Sequence, residues 1–199
     1  MRGFSLVELM IALVVFLIAC GVLLMGIQPA LKQSRVNNAY NTALNVMRQT
    51  RDNAIAQRQT FFVSFFAVAN PCNMSVTQGS TGLVIGCYTL PTDVFFMTPS
   101  QFASPPTMSA VNPDGFGNGG TPIAFDQGVA GGAANVVYFM PDGSAQDAAG
   151  NINNGVLYLA RPGDPYSARA LTLWGATGRL RGWHLMTSTG GTLYYWRQQ

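Results

Sequence analysis

The spacing of apolar and polar positions changes twice along this chain of 199 residues. From Leu9 to Ile27 there are 19 positions without a charge. As an α-helix that run extends about 28 Å, at roughly 1.5 Å per residue. A bilayer core is about 30 Å thick, so the run predicts a helix that can span one. Arg2 precedes it, which predicts a cytoplasmic N-terminus and an exported remainder. Further on, Val36, Tyr40, Ala43, Met47, Thr50 and Ala54 recur at steps of three and four. That period predicts continued helix with one apolar or small face, ending near Arg58. Arg48, Arg51 and Arg58 lie largely off that face. Pro29, inside the helix, removes one hydrogen bond and predicts a bend.

After Arg58 the period becomes two. Thr60 to Val68 is rich in aromatic and branched residues and predicts a strand. Met74 to Thr77 and Leu83 to Leu90 predict a hairpin. Pro99 to Pro122, rich in Pro, Gly, Ser and Asn, predicts a long loop. Short strands are then expected at 123–126, 136–140, 156–160, 168–174, 179–186 and 192–196. Pro141-Asp142-Gly143 and Gly175-Ala176-Thr177-Gly178 supply turns, with glycine taking positive φ. A long hydrophobic helix followed by an antiparallel sheet is an α+β arrangement, with helix residues 36 to 55 on one sheet face.

The net charge of +3 is unevenly placed. Lys32, Arg35, Arg48, Arg51 and Arg58 face only Asp52 in their stretch. From Gln59 to Ala160 there are acids but no Lys or Arg, and from Arg161 onward five arginines meet Asp164. Such clusters ordinarily mark solvated surface. Of the three cysteines, Cys20 lies in the apolar run and reads as inert packing. Cys72 and Cys87 fall in the exported part, where disulfides persist. They are either bonded or two buried thiols, and their spacing does not match a zinc site.

Gly3-Phe4-Ser5-Leu6-Val7-Glu8-Leu9, followed by the apolar run, carries the most specific signal. A secretory signal places its cleavage site after the apolar run. Here the candidate site, Gly3-Phe4, lies before it. Glu8 is costly at the edge of lipid unless it is paired. The stretch resembles the class III leader of type IV pilins and type II secretion pseudopilins. The resemblance implies that a prepilin peptidase removes residues 1–3 and N-methylates Phe4. It also implies that Glu8 pairs with the Phe4 amine of a neighbouring subunit. Residues 4–28 would form the transmembrane and filament-core helix, 29–58 an amphipathic helix continuing into the head, and 59–199 a β-rich head. The implied fold is pilin-like: a long N-terminal hydrophobic helix packed on an antiparallel sheet.

Three further stretches narrow the resemblance to GspH/FimT-type minor pilins and pseudopilins. They are Arg51 to Arg58, Phe139-Met140-Pro141-Asp142-Gly143-Ser144 and Thr177-Gly178-Arg179-Leu180-Arg181. The resemblance implies a subunit that helps initiate or cap a filament. Its partners would be other pilins, the prepilin peptidase, an inner-membrane assembly platform and the membrane itself. The protein would be single-pass in a bacterial inner membrane with a periplasmic C-terminus, then part of a periplasmic or cell-surface filament. In FimT-type proteins a Gly-Arg-x-Arg stretch is linked to DNA binding during uptake, which makes Arg179 and Arg181 candidates. Alternation places both on one face of a strand, about 7 Å apart. Arg197 and the aromatics Trp174, Trp183, Tyr194, Tyr195 and Trp196 could add to a nucleic-acid surface or form core. The alternative is a secretion pseudopilin that binds no DNA.

No catalytic set stands out. His184 is the one histidine and Glu8 the one glutamate, with no nucleophile elbow, phosphate loop, carboxylate pair or metal cluster beside them. The expectation is a non-enzyme with no cofactor, metal or small-molecule substrate. His184 reads as a surface or core-edge residue. Asn73-Met74-Ser75 reads as a chance glycosylation sequon.

Overall fold

A computed structural model describes residues 5–69, 71–102, 112–117, 119–127, 135–188 and 193–199, without the side chains of 22–27, 102, 126 and 127. The chain divides into two compact units, Met1–Arg35 and Val36–Gln199.

One helix, α1, runs from Leu6 to Gln57 and includes Pro29. In the first unit its side chains from Leu6 to Ile18 are exposed, among them Val7, Leu9, Ile11, Val14, Phe16 and Leu17. Among the described residues no helix is long and apolar enough to cross a membrane. Part of the uncharged run from Leu9 to Ile27 lies among side chains outside that description, as does the expected processing site at Gly3 and Phe4.

In the second unit the helix buries the face its spacing predicted: Val36, Tyr40, Ala43, Met47, Thr50 and Ala54 are all buried. Around that face stand two antiparallel sheets. The first comprises β1 (Phe61–Phe65), β2 (Met74–Gln78), β3 (Val84–Tyr88), β6 (Val136–Phe139) and β7 (Ala145–Gln146), in the order β3-β2-β1-β6-β7. The second comprises β4 (Phe95–Phe96), β8 (Asn154–Arg161), β9 (Asp164–Trp174), β10 (Arg179–Thr187) and β11 (Tyr194–Gln198), in the order β11-β10-β9-β8-β4. β5 (Ile123–Gln127) also pairs with β8. The arrangement is α+β, a helix packed on an antiparallel head, as a pilin-like fold requires.

Alternation explains which side chains go inward. Phe61, Val63 and Phe65 of β1 are buried, and Phe62 and Ser64 less so. They join Val36, Tyr40 and Met47 of the helix and Leu157, Leu159, Leu171 and Leu173 of the second sheet in one core. Each such large apolar side chain contributes about 1.5–3 kcal/mol on burial. Strands β8 and β9 are continuously buried over 155–160 and 167–173 because their far face is covered as well. There Val156, Tyr158, Ala160, Ala168, Ala170 and Leu185 form a second cluster, roofed by Met97, Phe116, Trp183, Tyr194 and Trp196.

Two polar features fix the helix against the second sheet. Gly182 of β10 meets Tyr40, and a Cβ there would overlap the Tyr40 hydroxyl, so only glycine admits this approach. The buried Arg169 of β9 donates to the Tyr166 carbonyl (3.2 Å), the Ala168 carbonyl (3.1 Å) and Asn37 Oδ1 (3.1 Å). Burial pushes the Arg169 pKa down, and Tyr40 and Asp164 act against that.

The two-residue strands β4 and β7 have no sequence signal because they are too short to show a period. The described part of the Pro99 to Pro122 loop contains a short helix, α2 (Pro99–Phe102), and a 3₁₀ turn at Pro113–Gly115. Cys72 and Cys87 are bonded, with Cα atoms 5.6 Å apart, and the bond ties the approach to β2 to β3. On the chain-entropy model, replacing both by serine should lower unfolding stability by about 3 kcal/mol. Urea unfolding of the full-length protein in neutral detergent checks this. An unchanged midpoint would mean that the bond constrains little.

Candidate functional site

The three stretches that carry the narrower resemblance are far apart in sequence and meet in space. The β6–β7 turn contains Asp142 and Gly143, the latter at φ +84. The Asp142 carboxylate accepts from the Ser144 amide (2.9 Å) and the Ser144 hydroxyl (2.7 Å), which closes the turn and lowers the Asp142 pKa. The β9–β10 turn contains Gly175 and Gly178, the latter at φ +59. The Ala145 amide donates to the Gly175 carbonyl at 2.7 Å, joining the two turns. Arg51 of α1 lies over both. Its Nε donates to the Gly143 carbonyl at 3.1 Å, and it packs where a Cβ on Gly178 would stand.

An open groove of about 610 Å³ lies at this junction. It is lined by Arg48 and Arg51 of the helix, by Arg179 and Arg181 of β10, and by Trp174. β11 pairs with β10 only from Trp183 to Thr187, so among the described residues the Arg179–Arg181 segment has no strand on its outer side. The groove therefore runs along an open sheet edge with the helix beside it.

The four guanidiniums are not equivalent. Arg181 Nη1 is 2.7 Å from Asp114 Oδ1, in the 3₁₀ turn of the long loop. The Asp114 carboxylate is 6% exposed and the Arg181 side chain 27%. Asp114 also accepts from Thr172 Oγ1 (2.5 Å) and Trp174 Nε1 (3.1 Å). The Arg181 guanidinium sits 5.6 Å from the Trp174 ring centre, and Phe116 meets that ring edge-on at 5.0 Å. Arg51 is half-buried and bonded to Gly143. Arg48 and Arg179 are exposed and make no ion pair or hydrogen bond with a described residue.

Arg197 stands elsewhere. It pairs across the sheet with His184, on the face of β10 opposite Arg179 and Arg181, and lines a separate hollow with His184 and Met186. Most of the expected stacking aromatics are engaged. Trp183 donates to Thr172 Oγ1 at 3.0 Å, Trp196 packs on Tyr158 at 5.6 Å, and Tyr194 roofs the second cluster. The C-terminal arginines are correspondingly not all solvated surface. Arg169 is buried, and Arg161 pairs with Asp93 (3.1 Å) and Asp164 (3.4 Å).

Glu8 is exposed in the first turn of α1, where a carboxylate is favoured by the helix dipole. His184 is half-buried with Nε2 3.1 Å from the Tyr166 carbonyl, and burial lowers its pKa. Asn73 is buried and bonded to the Phe66 carbonyl and the Leu90 amide, which explains its sequon as a structural position. Among the described residues no cluster of His, Cys, Asp or Glu is arranged to hold a metal ion. Reading the sequence missed Arg51 as the joint of the two turns and Asp114 as the partner of Arg181. The Asp114 pairing gives no local signal, since 67 residues separate the partners.

Comparison with known proteins adds one decisive point at the other end of the chain. Residues 1–24 match the family model described as the prokaryotic N-terminal methylation motif. The chain carries a prepilin-type methylation signal. This motif supports a type IV pilin or pseudopilin subunit and processing by a prepilin peptidase. No curated protein and no solved structure matches the chain.

Glycine substitutions give a sharp test of how the groove is built. Gly163 has φ +71 and open space around it, so Gly163→Ala should cost only the left-handed backbone strain, about 1–2 kcal/mol. Gly178→Ala adds overlap with the Gly143 carbonyl oxygen and Arg51, and should cost about 1–3 kcal/mol more. Equal losses in denaturant unfolding would mean that the two turns are not in contact.

Proposed function

We propose that this protein is a GspH/FimT-type minor pilin or pseudopilin that helps initiate or cap a filament. The observation that carries this reading is a methylation motif leading into a helix whose first turn holds Glu8 and whose apolar side chains are exposed. Those side chains need cover, either lipid before assembly or neighbouring helices after it. Residues 1–3 are the leader, Phe4 is the methylated N-terminus, and 4–28 form the membrane and filament-core segment. Residues 29–58 continue as an amphipathic helix into the head, and 59–199 form the β-rich head. Glu8 sets axial register by pairing with the Phe4 amine of the next subunit, because a wrong register leaves a buried charge unpaired. Assembly is the mechanism, and the partners are other pilins, the peptidase and an inner-membrane platform.

A specific observation favours DNA capture as a second role. Four guanidiniums line one groove on an open sheet edge, and two of them are exposed without a counter-charge among the described residues. That arrangement suits a phosphate backbone. A secretion pseudopilin without DNA binding is the competing role, and failure of the full-length protein to bind DNA at low salt would favour it.

The assembly reading is tested by Glu8→Ala. The variant should still fractionate with membranes and should be absent from sheared filaments. Normal incorporation into filaments would sink the register mechanism.

A further inference from the structure

The candidate motif presents two arginines, yet their surroundings assign them different tasks. We infer that the phosphate-binding pair is Arg48 of the helix with Arg179 of β10, and that Arg181 is held out of the site by Asp114. The inference rests on the DNA-capture reading above and names which side chains carry it.

Three observations point this way. First, the charge of Arg181 is already balanced at 2.7 Å by a carboxylate that is itself nearly enclosed. Drawing Arg181 onto a phosphate would leave Asp114 buried without its cation, which is strongly unfavourable. Second, the Arg181 guanidinium lies over the Trp174 ring, 5.6 Å from its centre. Trp174 also donates its Nε1 to Asp114. Ring and carboxylate together hold the Arg181 guanidinium in place. Third, Arg48 of the helix and Arg179 of β10 line the same groove, exposed and without a counter-charge among the described residues. Arg51, bonded to Gly143, ties the helix to the β6–β7 turn beside them as a positioning residue. Arg181 plays the complementary part, anchoring the Asp114 turn over the far face of the sheet.

Asp114 is then an electrostatic gate on the site's capacity. While it holds Arg181, the groove takes phosphate through two arginines. Without its charge, Arg181 becomes a third.

The test is a salt titration of a short DNA duplex with full-length protein in a neutral detergent. The variants are Arg48→Gln, Arg179→Gln, Arg181→Gln and Asp114→Asn. Removing one arginine that neutralises a phosphate flattens the log–log salt slope by about 0.9, which reduces the affinity ratio between 50 and 200 mM salt about threefold. Arg48→Gln and Arg179→Gln should each do this. Arg181→Gln should leave the slope at the wild-type value. Asp114→Asn should steepen it by about 0.9. An Arg181→Gln slope as flat as that of Arg179→Gln, or an unchanged slope for Arg48→Gln, would overturn the assignment while leaving DNA capture standing. Arg48 is exposed on the helix, so its variant tests the assignment even if the Asp114 or Arg181 variants unfold. No duplex binding by the wild type at 50 mM salt would remove the DNA-capture reading, and this assignment with it.

Discussion

Burying the Val36–Ala54 face of α1 is the constraint on which the head depends. Small residues at Ala39, Ala43 and Ala54 let the sheets come close, and Met47 and Tyr40 fill the spaces between. Gly182 gives up its side chain so that the Tyr40 ring can lie against β10. The main cluster takes residues from both sheets and from the helix, so neither sheet has a complete core without it. Among the described side chains of the helix, Val36 is the first to be buried, while the apolar residues from Leu6 to Ile18 are exposed. Exposed apolar surface disfavours a free state by about 25 cal/mol per Å². The same helix therefore satisfies the head through one segment and calls for partners through another, which is what a filament subunit needs.

The junction of Arg51, Gly143 and Gly178 turns this packing into a surface. Arg51 reaches from the helix to the β6–β7 turn, and that turn is bonded through Ala145 and Gly175 to the β9–β10 turn. Three elements are tied at one end of the second sheet, just where β10 has no outer neighbour among the described residues. A rigid edge lined with arginines follows from the connectivity. Its usable charge is smaller than the number of its arginines because Asp114 neutralises Arg181.

Much of this was legible in the sequence because periodicity reports the face that an element buries. The helix stripe, the strand at Phe61–Phe65 and the turns at Gly143 and Gly178 each announce themselves locally. The candidate site was legible only in part. Arg179 and Arg181 share a face by alternation, but alternation says nothing of a carboxylate from a distant loop. Arg197 looked like a neighbour in composition, and its register opposite His184 puts it on the other face. The aromatics near the C-terminus could be stacking surface or core on sequence grounds. A second cluster beneath Trp183, Tyr194 and Trp196 makes those three core, because β8 and β9 need cover on both faces, while Trp174 and Tyr195 are exposed.

The central claim is that the chain is a processed, N-methylated subunit whose apolar helix stays on the mature protein. The most direct measurement is the intact mass and N-terminal sequence of the protein purified from cells that express a prepilin peptidase. The account predicts a chain beginning at Phe4 and carrying one methyl group on its amine. A chain that still begins at Met1, or one cut after the apolar run, would contradict it.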